Sequence, residues 1–418
     1  MGKTHLSVRG RDFWINGRPV YDEIEKAGDA RGLLMNSRFI QGVFDDKADR
    51  KRFDRFGKIF DPDQNTDALI AALPEWYQYG LRAITVGFQG GWPVFTVDVR
   101  TIDNNPFGSD GSKLDEAYAA RMDRLIRAAD ELGMVVIVNI LYWAQTLRLK
   151  DGRAIMAALQ NAAAFLKEGA YTNVIIDVAN EYDIDAWKDH PLVRSPECMQ
   201  LLIDFVRKES GGMPVGSSGG GGTIHRPVID ASDVVLVHGN GLTRGQYYDF
   251  ICRVLEMAPD KPIVCNEDSP CFSRLEIAKG THTSWGHYDN FTKQEPSYDW
   301  GITPGQDFFF ARRMARTVGI DVPELPLHDQ FYLQGFEPNA EVNGQRWIRL
   351  AAEYPEKVDH VNFYRNGRLI YTSYDEPFFL FRETTWIQRG CRVEKDEEWT
   401  AEVILSDGRT VEKTVKVE

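Results

Sequence analysis

The stretch from Asn173 to Asp183, NVIIDVANEYD, constrains this chain more than any other. Val174, Ile175, Ile176 and Val178 give it the near-continuous apolarity of a strand buried on both faces, as in a parallel sheet covered by helices. The run then ends abruptly in Asn180, Glu181 and Tyr182. A carboxylate there would be costly inside a core but useful at the mouth of a barrel, where strands deliver their C-terminal residues to a site. A second run of the same kind, KPIVCNEDS from Lys261 to Ser269, is apolar from Ile263 to Cys265 and closes on Glu267.

Around these two stretches, strand-like runs alternate with helical patterns, the signature of repeated β-α units. Eight strands are predicted, at Gly32 to Met35, Leu81 to Val86, Met134 to Ile140, Val174 to Ala179, Pro214 to Ser217, Val234 to His238, Ile263 to Cys265 and Thr283 to Gly286. Between the second and third, Leu114, Tyr118, Met122, Leu125, Ile126 and Ala129 recur at helical spacing, with a Ser112-x-x-Asp115 capping box before them and Gly133 after. Helices are also predicted at Ala68 to Tyr79, Ala154 to Glu168, Met199 to Lys208, Gln246 to Met257 and Asp307 to Val318, with a short one near Arg274 to Ala278. Upstream, DFWINGRPVY from Asp12 to Tyr21 is a hairpin about Asn16-Gly17, placed at the barrel floor.

After about Gly319 the period becomes two. Val361 and Phe363 turn at Asn366-Gly367 into Leu369 and Tyr371, and Trp399, Ala401, Val403 and Leu405 alternate up to Asp407-Gly408. The 418 residues suit a barrel of about 250 to 300 plus a sandwich of about 100. The expected architecture is therefore a (β/α)8 TIM barrel with its hairpin over 1–319, then a small all-β sandwich over 320–418.

Composition narrows the function classes. A net charge of -13 argues against a nucleic-acid or anionic-membrane partner, either of which would want a basic face. Five cysteines without a CxxC pair indicate neither a disulfide framework nor a thiolate metal site. No apolar run is long enough to insert in a bilayer. The N-terminal MGKTHLSVRG has no apolar h-region. A chain trimmed of a leader would work outside the cell or in the periplasm, an untrimmed one in the cytoplasm. Oligomeric state is not encoded in any of these features.

The tail, VDHVNFYRNGRLIYTSYDEPFFLF followed by WTAEVILSDGRTVEKTVKV, resembles the bacterial immunoglobulin-like modules attached to polysaccharide enzymes. The predicted strands one to eight, with an Asn-Glu pair ending the fourth and a glutamate ending the seventh, resemble the retaining glycoside hydrolases of clan A over roughly residues 10 to 318. The resemblance implies a carbohydrate substrate, Glu181 as acid/base, Asn180 holding the sugar 2-hydroxyl, and Glu267 as nucleophile. Cleavage through an oxocarbenium-like state needs one carboxyl to protonate the leaving oxygen and another to attack C1, and so two different pKa values. Strict alternation sends Asn180 and Glu181 to opposite faces, so both serve one site only if the strand end is irregular.

Aromatic rings fit the C–H faces of sugars, and Trp92, Tyr142, Trp143, Tyr182, Trp187, Trp285 and Tyr288 follow the ends of strands two, three, four and eight. Trp285 resembles the strand-eight tryptophan that floors the sugar subsite in this clan, and His238 the histidine placed beside the nucleophile. His287 and Asn139 are further candidates of that polar type. Two features of the clan are missing: an arginine at the matching end of strand two, and a tyrosine directly after His238. Arg38, after strand one, substitutes for the arginine, or a different polar network orients Glu267.

No cofactor is indicated, and the lack of an HExxH or His-x-His pair argues against a catalytic metal. Gly216 to Gly222, GSSGGGG, has no Lys-Ser/Thr after it, so it is expected to be a flexible loop and not a phosphate cradle. Arg226 and Arg244 either meet an acidic or sulfated sugar or are rim charges, solvated or paired with carboxylates. The rival function is a catalytically inactive carbohydrate-binding protein on a barrel scaffold.

Overall fold

A computed structural model describes residues 2–93, 95, 98–383 and 389–418. Among the described residues eight parallel strands alternate with eight α-helices of six residues or more, and single-turn helices at Trp143–Thr146 and Pro191–Arg194 precede the third and fourth of these. The strands are β1 (Asn36–Arg38), β2 (Ala83–Gly87), β3 (Val135–Leu141), β4 (Val174–Ala179), β5 (Val215–Gly216), β6 (Val235–His238), β7 (Ile263–Glu267) and β8 (Gly286–His287). The helices are α1 (Pro62–Gln78), α2 (Glu116–Leu132), α3 (Gly152–Glu168), α4 (Pro196–Glu209), α5 (Arg226–Ala231), α6 (Arg244–Met257), α7 (Arg274–Thr281) and α8 (Gln306–Thr317).

The strands form a six-stranded sheet, ordered β8-β1-β2-β3-β4-β5, and a separate pair, β6 with β7. The pair joins the sheet at β8, where the Cys265 amide donates to the Ser284 carbonyl and the Ser284 amide to Ile263. Among the described residues no ladder joins β5 to β6, so the strand ladder of the expected barrel is not closed, although the Asp233 amide just before β6 donates to the Val215 carbonyl. The two nonetheless lie close: a Cβ added at Gly216 would sit 2.2 Å from the Val234 carbonyl oxygen. β3 and β4 are buried at every position, the apolar runs meeting helices outside and one another inside.

Three local expectations change. β1 begins at Asn36, not Gly32, because polar Asn36 and Ser37 make the pairs with Ala83 and Ile84 while Leu33, Leu34 and Met35 only lead in. β8 is Gly286–His287, since α7 runs to Thr281 and leaves Ser284 only a single bridge, to Val264. α2 is capped by Asp115, whose carboxylate accepts from the Ala117 and Tyr118 amides, and not by a box from Ser112; Gly133 closes it in the left-handed conformation. The Asn16-Gly17 hairpin forms within a three-stranded meander, and the Leu6 amide beside it donates to Thr172 just before β4.

The described C-terminal region is built of β-strands with two short 3-10 turns, Leu327–Gln330 and Pro355–Lys357. β9 (Phe331–Gln334) pairs with β10 (Arg349–Ala352), and β11 (Val358–Arg365), β12 (Arg368–Ser373), β13 (Glu398–Leu405) and β14 (Thr410–Lys416) form an antiparallel sheet ordered β12-β11-β13-β14. Trp399, Ala401, Val403 and Leu405 turn inward on β13 and share a buried apolar cluster with Phe331, Leu333 and Leu350, apart from the main core. The region is nevertheless tied to α8, where Arg312 and Arg313 pair with Glu353 and Glu356. All five cysteines are free, and among the described residues no helix is long and apolar enough to cross a membrane.

Candidate active site

At the C-terminal ends of the parallel strands lies a cavity of about 290 Å³, lined among others by Arg38, Asn180, Glu181, Asn240, Glu267 and Tyr288. Two backbone irregularities bring the acidic residues into it. β4 ends at Ala179, and Glu181 takes a left-handed conformation, φ 49°, which swings its side chain to the face that Asn180 already serves. β7 carries a bulge between Cys265 and Glu267, where its register against β6 shifts.

One polar network then holds both carboxyls. His238 Nδ1 lies 3.1 Å from Glu181 Oε1 and 3.7 Å from Glu267 Oε2. The Arg38 guanidinium reaches Glu267 Oε2 at 2.8 Å and donates to Asn180 Oδ1 at 2.8 Å. Asn240 Nδ2 donates to the other oxygen, Glu267 Oε1, at 2.6 Å. One oxygen of each glutamate and a ring nitrogen of His238 all fall within 4.8 Å of one another.

The two carboxyls differ electrostatically. Burial pushes Glu267 up, but the charge of Arg38, then His238 and the Asn240 amide, outweigh it and hold the group below the usual glutamate range. At Glu181 burial prevails over the hydrogen bond from His238, and the charge of Glu267 adds to it, so the group stays above that range. Burial lowers His238, yet Glu267 and Glu181 together leave it raised. The site therefore holds one proton readily and one anion readily, side by side.

Trp92, Tyr142 and Trp143 line the cavity as well, making an aromatic wall with Tyr288. Trp285 does not. It is fully buried behind the wall, donating from Nε1 to Asp268 and packed edge-on to Phe310, because pairing of Gly286–His287 with β1 puts Tyr288 at the mouth. His287 is also withdrawn: it stacks on Phe310 and meets Asp307 at 3.1 Å. Asn139 pairs in register with Asp177 across β3 and β4 and is buried, outside the cavity lining. Tyr182 and Trp187 are buried too, Trp187 holding the Asn180 carbonyl through Nε1. Asn240, two residues past β6, was not singled out from sequence; its only signal was its place in VHGNG at a strand end.

Arg226 pairs with Asp230 and Arg244 with Ser273, and neither lines the cavity. The glycine-rich loop is pinned where a flexible one was expected. The Gly220 amide donates to Asp183, the Gly222 amide to the His238 carbonyl, and Ser218 Oγ to Asp177.

Among the described residues two groups have ligand atoms close enough to surround a cation: Glu181, His238 and Glu267, and His287, Asp289 and Asp307. The protein supplies its own positive charge to each. Arg38 contacts Glu267, and Lys293 Nζ lies 2.6 Å from Asp307.

No family model matches the chain, and no curated protein matches it. Solved structures similar to it include an endo-β-1,4-mannanase from Thermotoga petrophila, 12% identical, covering 92% of this chain and 97% of that one at a TM-score of 0.44. A β-mannanase from the blue mussel Mytilus edulis is 12% identical, covering 75% and 96%, at 0.43. A double mutant of an endo-β-1,4-mannanase from Cellulomonas fimi is 13% identical, covering 92% and 94%, at 0.42. At TM-scores below 0.5 these likenesses bear no weight for function.

Proposed function

We propose that this protein is a retaining glycoside hydrolase, with Glu181 as acid/base and Glu267 as nucleophile. The observation that carries it is the approach of the two carboxyls, with an oxygen of each and His238 within 4.8 Å, while their surroundings push their proton affinities apart. Retention wants carboxyls about 5 to 5.5 Å apart, inversion about 6.5 to 9.5 Å to admit a water. An oxygen of each carboxyl within 4.8 Å leaves less room than inversion wants and supports the first.

In the first step Glu181 gives its proton to the glycosidic oxygen while Glu267 Oε bonds to C1 and the leaving sugar departs. In the second, Glu181, now ionised, takes a proton from water, whose oxygen attacks C1 and frees Glu267. Arg38 and Asn240 keep Glu267 anionic and aimed. Asn180, whose Oδ1 is held by Arg38, offers its amide to the sugar 2-hydroxyl. Trp92, Tyr142, Trp143 and Tyr288 stack on the ring. The missing clan arginine is replaced in this scheme by Arg38, and the substrate is an oligosaccharide or polysaccharide.

On this reading residues 1–319 act as a (β/α)8 barrel despite the open seam, and 320–418 as an immunoglobulin-like sandwich. The test is turnover of a panel of activated aryl glycosides. Glu267→Ala should abolish it, Glu181→Ala should cut it and regain rate with azide, and the first-formed product should keep the anomeric configuration by NMR. Undiminished turnover in either variant, or an inverted product, would overturn the assignment.

A further inference from the structure

The wall of the cavity is buttressed from the C-terminal β region. Ile348 and Leu350 point into that region's own apolar cluster, whereas Trp347, two residues before β10, and Arg349, its first residue, meet Phe95, Phe291 and Gln306 of the parallel-sheet body. Trp347 meets Phe95 at 4.5 Å between ring centroids and Phe291 at 6.1 Å, and those two rings lie 5.6 Å apart.

Each of these phenylalanines belongs to a loop that reaches the cavity. Phe95 follows Trp92, and Phe291 lies between Tyr288 and Gln294, all three of which line it. The loops are also stitched together: Gln294 Nε2 donates to the Trp92 carbonyl, and the Phe95 amide to Glu295 Oε2 at 3.0 Å. Arg349 supplies a second line. It donates to Gln306 Oε1, and Gln306 Nε2 donates at 3.1 Å to the carbonyl of Tyr288.

We infer that the C-terminal β region is a working part of the site, with Trp347 and Arg349 as positioning residues that seat loop 288–305, and so Tyr288 and Gln294, against the substrate. Neither touches substrate; both act through the wall. The inference rests on the glycosidase reading of the cavity, but its test has an arm that does not.

In the full chain, Trp347→Ala should raise KM for an oligosaccharide about tenfold and leave kcat within about twofold, the mark of lost binding common to ground and transition states. Trp347→Phe should restore most of it. Hydrogen exchange at the amides of 289–300 should quicken in Trp347→Ala and not in Trp347→Phe, with β4 protected in both. Unchanged KM together with unchanged exchange in that loop would overturn the inference. If the wild-type chain hydrolyses no glycoside, the proposed function fails, and loop exchange alone still decides the positioning role. If Trp347→Ala does not fold, Arg349→Met replaces it: the stem volume is kept and the link to Gln306 is lost, with the same two readouts.

Discussion

Glu181 owes its direction to one backbone torsion. A non-glycine residue in the left-handed region costs on the order of 1 kcal/mol, and here the cost brings Asn180 and Glu181 to a common cavity. The charges around it set the pH dependence. In the proposed reaction Glu267, held low, must be ionised, so kcat/KM should fall as pH drops through its value; Glu181, held high, must be protonated, so activity should fall as pH rises through its value. A bell with its acid limb below the ordinary glutamate range checks this. Arg38→Met removes the largest influence opposing burial at Glu267, so that limb should move to higher pH, and the lost charged contact of about 2 to 3 kcal/mol should slow turnover by about 10²-fold. A pH profile of unchanged shape would refute it. The two glutamates were legible in sequence because an apolar run ending in a carboxylate is physically costly unless it opens on a site. Asn240 was not, because an asparagine after a strand looks the same whether it turns the chain or donates to a buried glutamate.

At the level of elements, long strands and helices announce themselves by burial, while short ones do not. β3 and β4, buried throughout, fall within a residue of their predicted bounds. β1 and β8 pair over three and two residues and shift, since so few positions leave no periodic trace. α5, six residues opening on Arg226-Pro227, was not predicted for the same reason. That shortness also hid the true places of Trp285 and His287: moving a strand by one or two residues changes which side chains meet the cavity. The glycines of 216–222 read as slack in sequence, yet they allow close approach. A Cβ at Gly221 would stand 2.0 Å from the carbonyl oxygen of Asn240, whose amide holds Glu267. Gly221→Ala must therefore displace the Asn240 backbone, and kcat should fall at least tenfold with a stability loss of about 1 to 3 kcal/mol. Comparing kcat with the denaturant midpoint tests this; a stable variant with full kcat would show that Asn240 can move without consequence.

For the whole molecule, the buried ion pairs are the main sensitivity. Lys293 and Asp307 are both fully shielded from solvent, with His287 alongside; burial pushes Asp307 up, but Lys293 and His287 outweigh it and depress it strongly. A carboxylate depressed by folding adds stability above its unfolded value, and that stability drains as pH falls through its folded one. Asp307→Asn strands a buried ammonium and should cost about 3 to 5 kcal/mol by urea denaturation at neutral pH, less in acid. An unchanged midpoint at neutral pH would show that Lys293 is satisfied by the carbonyls of Asp299 and Gly301 alone. None of this was legible in sequence, because the partners lie in different turns of one long loop and helix. Glu181 extends from the six-stranded sheet, whereas Glu267, His238 and Asn240 all extend from the β6–β7 pair. The spacing of the two carboxyls is thus set between two bodies that share no strand ladder on the β5–β6 flank, as a jaw is measured across its hinge. Loosening that flank at Gly216 against Val234, where the Asp233 amide on the Val215 carbonyl holds it, would spoil the bite while every tooth remained in place.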